Sequence, residues 1–277
     1  MAIYEGTLNS SIGGLIAMLD VQLVKNDYWT IYDAEAGTNC HVYKNDSPTE
    51  NSLFYLKVDD NHDGYAIIEL WEGWDAVAHA GTGKSLIKSS GGTNLLYIRK
   101  AAQAYKLMLD NLRFKLIQVA AVFSCYVGQP KRFDGSKNRP IVICFPDTDY
   151  GNNALGRRNL DSLNSNDGAS WRALFDNSGN NSTVLPFGIG YWFESTNNNY
   201  FDCHFIATGD GKFMIYETPI VFWTDGRVFG QLDGVMSIGR SGCPLANGDI
   251  VYVDTIPWVF LDAAGTTYLG RCLVRLT

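Results

Sequence analysis

The stretch Ser52–Glu72, "SLFYLKVDDNHDGYAIIELWE", sets the fold class. Two runs with period-two patterning, "SLFYLKV" and "GYAIIELWE", flank the polar centre "DDNHDG". Period two puts successive side chains on opposite faces of a strand, and the turn-forming centre brings the runs together as a β-hairpin. The same centre has a second reading. Asp59, Asn61, Asp63 and Gly64 match the first half of a calcium-binding helix-loop-helix loop. Its twelfth position should be Glu and is Leu70, with Glu69 one short, and its flanks are strands rather than helices. A hairpin turn is the expectation and a weak surface calcium site the alternative.

Outward from this hairpin the pattern continues. "YWTIYDAE" precedes it; "NLLYIRKA", "FKLIQVAAVFSCYV" and "RPIVICF" follow. Later, "YFDCHFIA" and "KFMIYET" are joined by "TGDG", and "IVFWT" and "RVFGQL" flank another Asp-Gly, which supplies the positive φ of a tight turn. "DIVYVDT", "PWVFLDA" and "TYLGRCLVRLT" end the sequence. Short strands with turn signals at close intervals predict antiparallel sheets, and the absence of alternating strands and long helices disfavours a parallel α/β sheet. The one good helix signal is Ile12, Leu15, Ile16, Leu19 and Leu23 at helical spacing. Asn9, Ser10 or Ser11 are its N-cap candidates, while Gly13 and Gly14 each cost about 1 kcal/mol relative to Ala. Its stripe reads as a face packed on the sheet or on a neighbouring subunit, with Ile12, Leu15 and Leu19 as candidate contacts. The expected fold is mainly β: antiparallel β-sandwich or barrel units with one N-terminal helix and a long inserted loop.

That loop runs from Pro146 to Pro186, is rich in Asn, Asp, Ser and Gly, and holds only "ASWRALFD" as a helical turn. A segment this long without structure is unusual inside a compact domain. It reads as a linker or as an arm that orders on a partner. The expected organisation is an N-terminal helix plus β unit (1–145), the polar arm (146–186) and a C-terminal β unit (187–277). Arg157 and Arg158 would pair with acids on a neighbouring subunit, and Trp171 and Trp192 are candidate interface anchors.

Composition narrows the function classes. Of 277 residues, 46% are apolar, a globular share, and only 18% are charged, below the usual quarter. The 15 Tyr, 14 Phe, 7 Trp and 28 Gly suit strands joined by tight turns. A net charge of −7 repels phosphates and argues against broad nucleic-acid binding. "MAIYEGTLNS" lacks the basic and apolar regions of a secretory signal, and no run of about 18 apolar residues predicts a membrane span. A protein folded in the cytosol, without membrane partner, is expected. Cysteines stand at 40, 125, 144, 203, 243 and 272 with no CxxC pair; buried free thiols are the expectation, although spacing does not fix disulfide connectivity. Zinc is disfavoured because Cys40-His41 and Cys203-His204 are strand neighbours pointing to opposite faces.

Catalytic signals are weak. "AHAGTGKS", Ala78–Ser85, satisfies the relaxed phosphate-loop pattern, but such a loop sits between a buried strand and a helix. Here Ser89, Ser90, Gly91 and Gly92 stop any helix, and "NLLYIRK" reads as strand. The histidines are 41, 62, 79 and 204; HExxH and GxSxG are both absent. Asp147 and Asp149 form a carboxylate pair of the kind glycoside hydrolysis uses, set in a turn-forming loop. No catalytic residue, cofactor or metal is expected. Trp192 and Tyr191 in "YWFESTNNNYF" are the aromatics that a glycan-binding alternative would use.

The closing segment carries a resemblance. Gly230, Leu232 and Gly234 form a G-x-L-x-G turn; Pro244-Leu245 and Asn247-Gly248-Asp249 form a "PL-NGD" turn; a strand and then a strand with Trp258 follow. This order resembles the C-terminal part of structural proteins from tailed-phage virions, those of the tail, neck or baseplate, although the "GRSGC" insert departs from it. "WEGWDAVAHAGTGKS" resembles a mid-chain segment of the same proteins. The resemblance covers about a third of the chain. It implies an assembly protein of the virion, built in the host cytoplasm, whose partners are copies of itself in a ring and neighbouring virion proteins.

Overall fold

The computed structural model describes residues 2–46, 53–82, 96–119, 123–129, 131–132, 141–144, 172–173, 182–186, 215–222, 228–238, 244–262 and 271–276. Its strands are β1 (Ala2–Thr7), β2 (Trp29–Ala34), β3 (Cys40–Asn45), β4 (Tyr55–Asp59), β5 (Tyr65–Trp71), β6 (Gly73–Asp75), β7 (Ala80–Thr82), β8 (Leu96–Arg99), β9 (Ala104–Leu109) and β10 (Arg113–Gln118). They continue as β11 (Phe123–Gly128), β12 (Lys131–Arg132), β13 (Ile141–Cys144), β14 (Arg172–Ala173), β15 (Ser182–Pro186), β16 (Ile215–Phe222), β17 (Val228–Ile238), β18 (Ile250–Val253), β19 (Ile256–Asp262) and β20 (Arg271–Arg275). The helix α1 (Gly14–Leu19) runs on into a π-helical turn, Asp20–Val24.

The mainly β, antiparallel expectation holds. A five-stranded sheet has the order β2-β3-β4-β5-β8, and β6 and β7 form a separate hairpin. A 13-stranded sheet follows the path β1-β9-β10-β11-β13-β14-β15-β16-β17-β20-β19-β18, with β12 beside β17. This path has two ends, so the barrel alternative gives way to an open sheet. The "DDNHDG" hairpin is present: β4 pairs antiparallel with β5, Leu56 opposite Leu70 and Val58 opposite Ile68. Gly64 takes the positive φ, 78°, in its turn.

Alternation explains the main core. Leu56 and Val58 of β4 and Ala66, Ile68 and Leu70 of β5 point inward. They meet Leu107 and Leu109 of β9, Phe114 and Leu116 of β10, and Cys125 and Val127 of β11 in one buried cluster. The two sheets thus form a sandwich. Trp29 bridges them: its ring lies 5.2 Å from Phe54 and 5.9 Å from Phe114, and its indole N–H donates to the Asp110 carbonyl at 3.0 Å. Burying a Leu, Val or Phe in such a core contributes about 1.5–3 kcal/mol each.

The helix closes one end of the sandwich. Leu15, Ile16, Leu19 and Leu23 all enter the core, which places the stripe on the sheets of its own chain. The N-cap expectation needs correction. Gly13, at φ 77°, stands at the N-cap position and has no side chain to cap with, and Asn9 instead accepts from Ser11. A Cβ at Gly14 would overlap the main-chain oxygen of Asn9, so the two glycines that weaken the helix by propensity are required by its tight entry.

"FKLIQVAAVFSCYV", patterned as one run, is two strands, β10 and β11, paired Phe114 to Val127 and Leu116 to Cys125. No Gly, Pro or Asn marks the connection. β10 is buried at every position. Phe114 and Leu116 face the sandwich core, while Lys115 and Arg113 face Asp233 of β17, so the far part of the large sheet covers the other side of β10. A smaller core of Trp258, Phe260 and Leu273 lies among β19 and β20. Within the polar stretch 146–186, the described residues are β14 and β15, both in the path of the large sheet. Among the described residues, no helix is long and apolar enough to cross a membrane.

Candidate functional site

Three clusters of polar side chains stand out. The first lies where the β6–β7 hairpin folds over the five-stranded sheet. Asp33, at the end of β2 and almost buried, accepts from the Trp74 indole N–H at 2.7 Å and pairs with His79 Nδ1 at 2.9 Å. The hairpin turn is fixed from within by Asp75, whose Oδ1 accepts from the main-chain N–H of Val77 and Ala78. His79 adopts φ 50°, a left-handed conformation uncommon for a side chain of its size. Gly81 lies so close to Trp71 that a Cβ there would overlap the indole. Burial alone would push the Asp33 carboxyl up; the hydrogen bonds from Trp74 and His79 and the imidazole charge outweigh it and hold the group below the usual carboxylate range. The hydrogen bond and charge of Asp33 in turn raise His79 above the ordinary imidazole value.

This cluster acts as a clasp. Its aromatic neighbours are engaged in packing: Lys57 sits over the Trp74 ring at 5.6 Å, Lys44 over the Tyr32 ring at 5.7 Å, and Tyr32 meets Tyr55 edge-on at 4.9 Å. Each lysine covers a ring face that a stacked sugar would need. "AHAGTGKS" begins in this hairpin. Ala78 and His79 are in its turn and Ala80–Thr82 is β7, so a strand stands where a phosphate loop would curl; Gly83, Lys84 and Ser85 lie outside the described residues.

The second cluster is the "DDNHDG" turn. Asp60 is fully buried, ion-paired with the equally buried Lys100 Nζ, and accepts from the main-chain N–H of Leu15 at 2.7 Å and Ile16 at 3.0 Å. Lys100 also donates to the carbonyls of Ser11 at 2.8 Å and His62 at 2.6 Å. The carboxylate that caps α1 therefore comes from a turn forty-odd residues away. The calcium candidates are engaged in the same joint: Asp59 accepts from Asn61, Asp63 from the Ile12 N–H, and Asn61 from the Asn39 N–H.

The third cluster joins β10 to β17 and β20. Asp233 pairs with Arg113 at 3.2 Å and Arg275 at 3.6 Å, and its carbonyl accepts from Lys115 Nζ at 3.2 Å. Burial, with the neighbouring guanidinium charges, pushes Lys115 down to about 7. Gly234, at φ 68°, leaves the space that Lys115 Nζ occupies.

The remaining sequence candidates fall as follows. Leu15 and Leu19 are in the core and present no contact surface; Ile12 is 51% exposed. Arg157, Arg158, Trp171 and Trp192 lie outside the described residues, as do Asp147 and Asp149. Cys40 is buried, and burial pushes its thiol up to about 11, away from thiolate chemistry. Asp33, Asp60, Lys100, Lys115 and Asp233 escaped sequence reading because single charged letters inside strand and turn patterns carry no sign of their distant partners. A signal did exist for β18. "IVYV" ends the large sheet and leaves Ile250 45% and Tyr252 70% exposed.

No protein-family model matches this sequence, and no curated protein matches it.

Proposed function

We propose that the chain is a non-enzymatic structural protein of a tailed-phage virion, a tail, neck or baseplate component that works by binding copies of itself and neighbouring virion proteins. One observation carries the reading: the terminal strand of the large sheet, β18, presents Ile250 and Tyr252 to solvent instead of the charges that usually protect a sheet edge. Exposed apolar side chains on an open strand suit a binding surface. The sequence resemblance supports the same assignment. It falls on β17–β19: Gly248, at φ 94°, lies in the expected Asn247-Gly248 turn, whereas Gly230–Gly234, expected as a turn, runs within strand β17 with a positive φ at Gly234.

Light-scattering mass across a range of protein concentrations tests self-binding, and immunogold labelling of particles tests virion residence. Oligomers and labelled particles are expected; a strict monomer that never joins a particle overturns the proposal. The alternative, a glycan-binding module, predicts a positive glycan array from the monomer.

A further inference from the structure

The two ends of the 13-stranded sheet are β1 and β18. Among the described residues, β1 pairs only with β9 and β18 only with β19. The phase of each ladder fixes which main-chain groups remain. Asp254 and Thr255, at φ 47° and 71°, form the two-residue turn between β18 and β19, which closes on the pair Val253–Ile256. Hydrogen-bonded and non-bonded pairs alternate along an antiparallel ladder, so Tyr252–Pro257 and Ile250–Val259 are non-bonded. Pro257 fits this assignment, having no N–H to give. The N–H and C=O groups of Ile250 and Tyr252 therefore point away from β19.

On β1, the Leu8 N–H donates to the Gln103 carbonyl at 3.0 Å. Counting back through the register, Thr7, Glu5 and Ile3 are the non-bonded positions, and their main-chain groups point away from β9. These three residues are also solvent-exposed. The large exposed apolar side chains at the two edges are Ile3 on β1 and Ile250 and Tyr252 on β18. Among the described residues, both edges thus offer unpaired ladder groups at alternate positions together with apolar side chains able to form cross-strand pairs.

Resting on the assembly reading above, we propose that β18 of one copy pairs with β1 of the next, continuing the large sheet from chain to chain. The two edges are different patches of one molecule, so the contact is head-to-tail, and repetition closes into a ring or propagates as a filament.

The test mixes two populations of full-length chain, one carrying Ile3→Cys, Glu5→Cys or Thr7→Cys and the other Tyr252→Cys. Mild oxidation should give a cross-linked dimer in a mixture that neither population alone, nor the unmodified chain, produces. Scanning positions 3, 5 and 7 covers the possible registers. A second variant, Tyr252→Pro, removes an outward N–H while leaving the β18–β19 ladder intact, and should weaken self-association by at least about tenfold. Unchanged thermal unfolding shows that this variant folds. Oligomers that resist Tyr252→Pro and give no cross-link at any of the three positions overturn strand pairing while leaving self-assembly standing. A wild-type chain that is monomeric at every concentration overturns both.

Discussion

Asp60 and Lys100 show how much a single buried pair can organise. Neither side chain reaches solvent, and between them they hold the first turn of α1, the β4–β5 turn and the end of β8. Asp60→Leu strands the Lys100 charge among carbonyls, and Lys100→Met strands the carboxylate. Each should cost about 3–5 kcal/mol in urea unfolding, because an uncompensated buried charge is worse than none. The double variant should lose less than the sum of the two. Strict additivity would show that the residues act independently. Lys115 gives a residue-scale prediction of a different kind. Its folded value, about 7, lies below the 10.5 of an ordinary lysine. Between those values the unfolded chain holds a proton that the folded chain has released, so stability rises with pH across that window. The benefit is complete above about 10.5 and is lost as pH falls through 7. Lys115→Met, apolar and of similar length, should flatten this slope in denaturation measured from pH 7 to pH 10. It should also raise stability at pH 7 by a few kcal/mol, because each tenfold loss of proton affinity on folding corresponds to about 1.4 kcal/mol. A slope unchanged in the variant would assign it to another group.

At the scale of the element, the β6–β7 hairpin depends on the Asp33 clasp. His79 is raised by Asp33, so its contribution is present at low pH and is lost as pH rises through its folded value. Asp33 is lowered, so its contribution is present above the unfolded carboxyl value and is lost as pH falls through the folded one. The clasp is closed between these limits. Amide exchange within 73–82, corrected for intrinsic rates, should be slowest in mildly acidic buffer and should accelerate above neutrality; His79→Gln should remove that acceleration. Equal pH profiles in the two proteins would show that Trp74 alone holds the hairpin. Elements were legible where local pattern and environment agree. β4 and β5 alternate because one face packs on the core, and the helical stripe of Leu15, Leu19 and Leu23 was readable for the same reason. β10 was not separable from β11, because a strand covered on both sides loses its alternation and its connection carries no turn residue. The clasp was invisible in sequence: its members lie more than forty residues apart, and neither an Asp nor a His is unusual beside a turn.

At the scale of the molecule, the contacts of Asp233 bear on whether the chain behaves as one unit or two. The sequence suggests a β unit on either side of the polar stretch 146–186. In the structure, the sheet path passes through β14 and β15, and β17 and β20 lie against the far side of β10. Arg113, Lys115 and Arg275 converge on this one residue, which joins β10 of the first core to β17 and β20 beside the second. If that joint couples them, unfolding should be a single transition. The signal from Trp29 in the first core and that from Trp258 in the second should then coincide, and calorimetric and van't Hoff enthalpies should agree. Asp233→Ala removes the carboxylate that pairs with Arg113 and Arg275, leaving the Lys115 contact to the main-chain carbonyl in place, and should separate the two signals, the Trp258 core melting first because it is the smaller. Coincident melting in Asp233→Ala would place the coupling in the sheet itself, and separate melting in the wild-type chain would show two independent units. The result bears on assembly as well. β1 belongs to the first part of the chain and β18 to the last, so a head-to-tail contact between them fixes a repeat only if a rigid connection carries one edge to the other, and the Asp233 joint, with the Asn247 side-chain amide donating to the Val119 carbonyl at 2.8 Å, supplies side-chain links that span it.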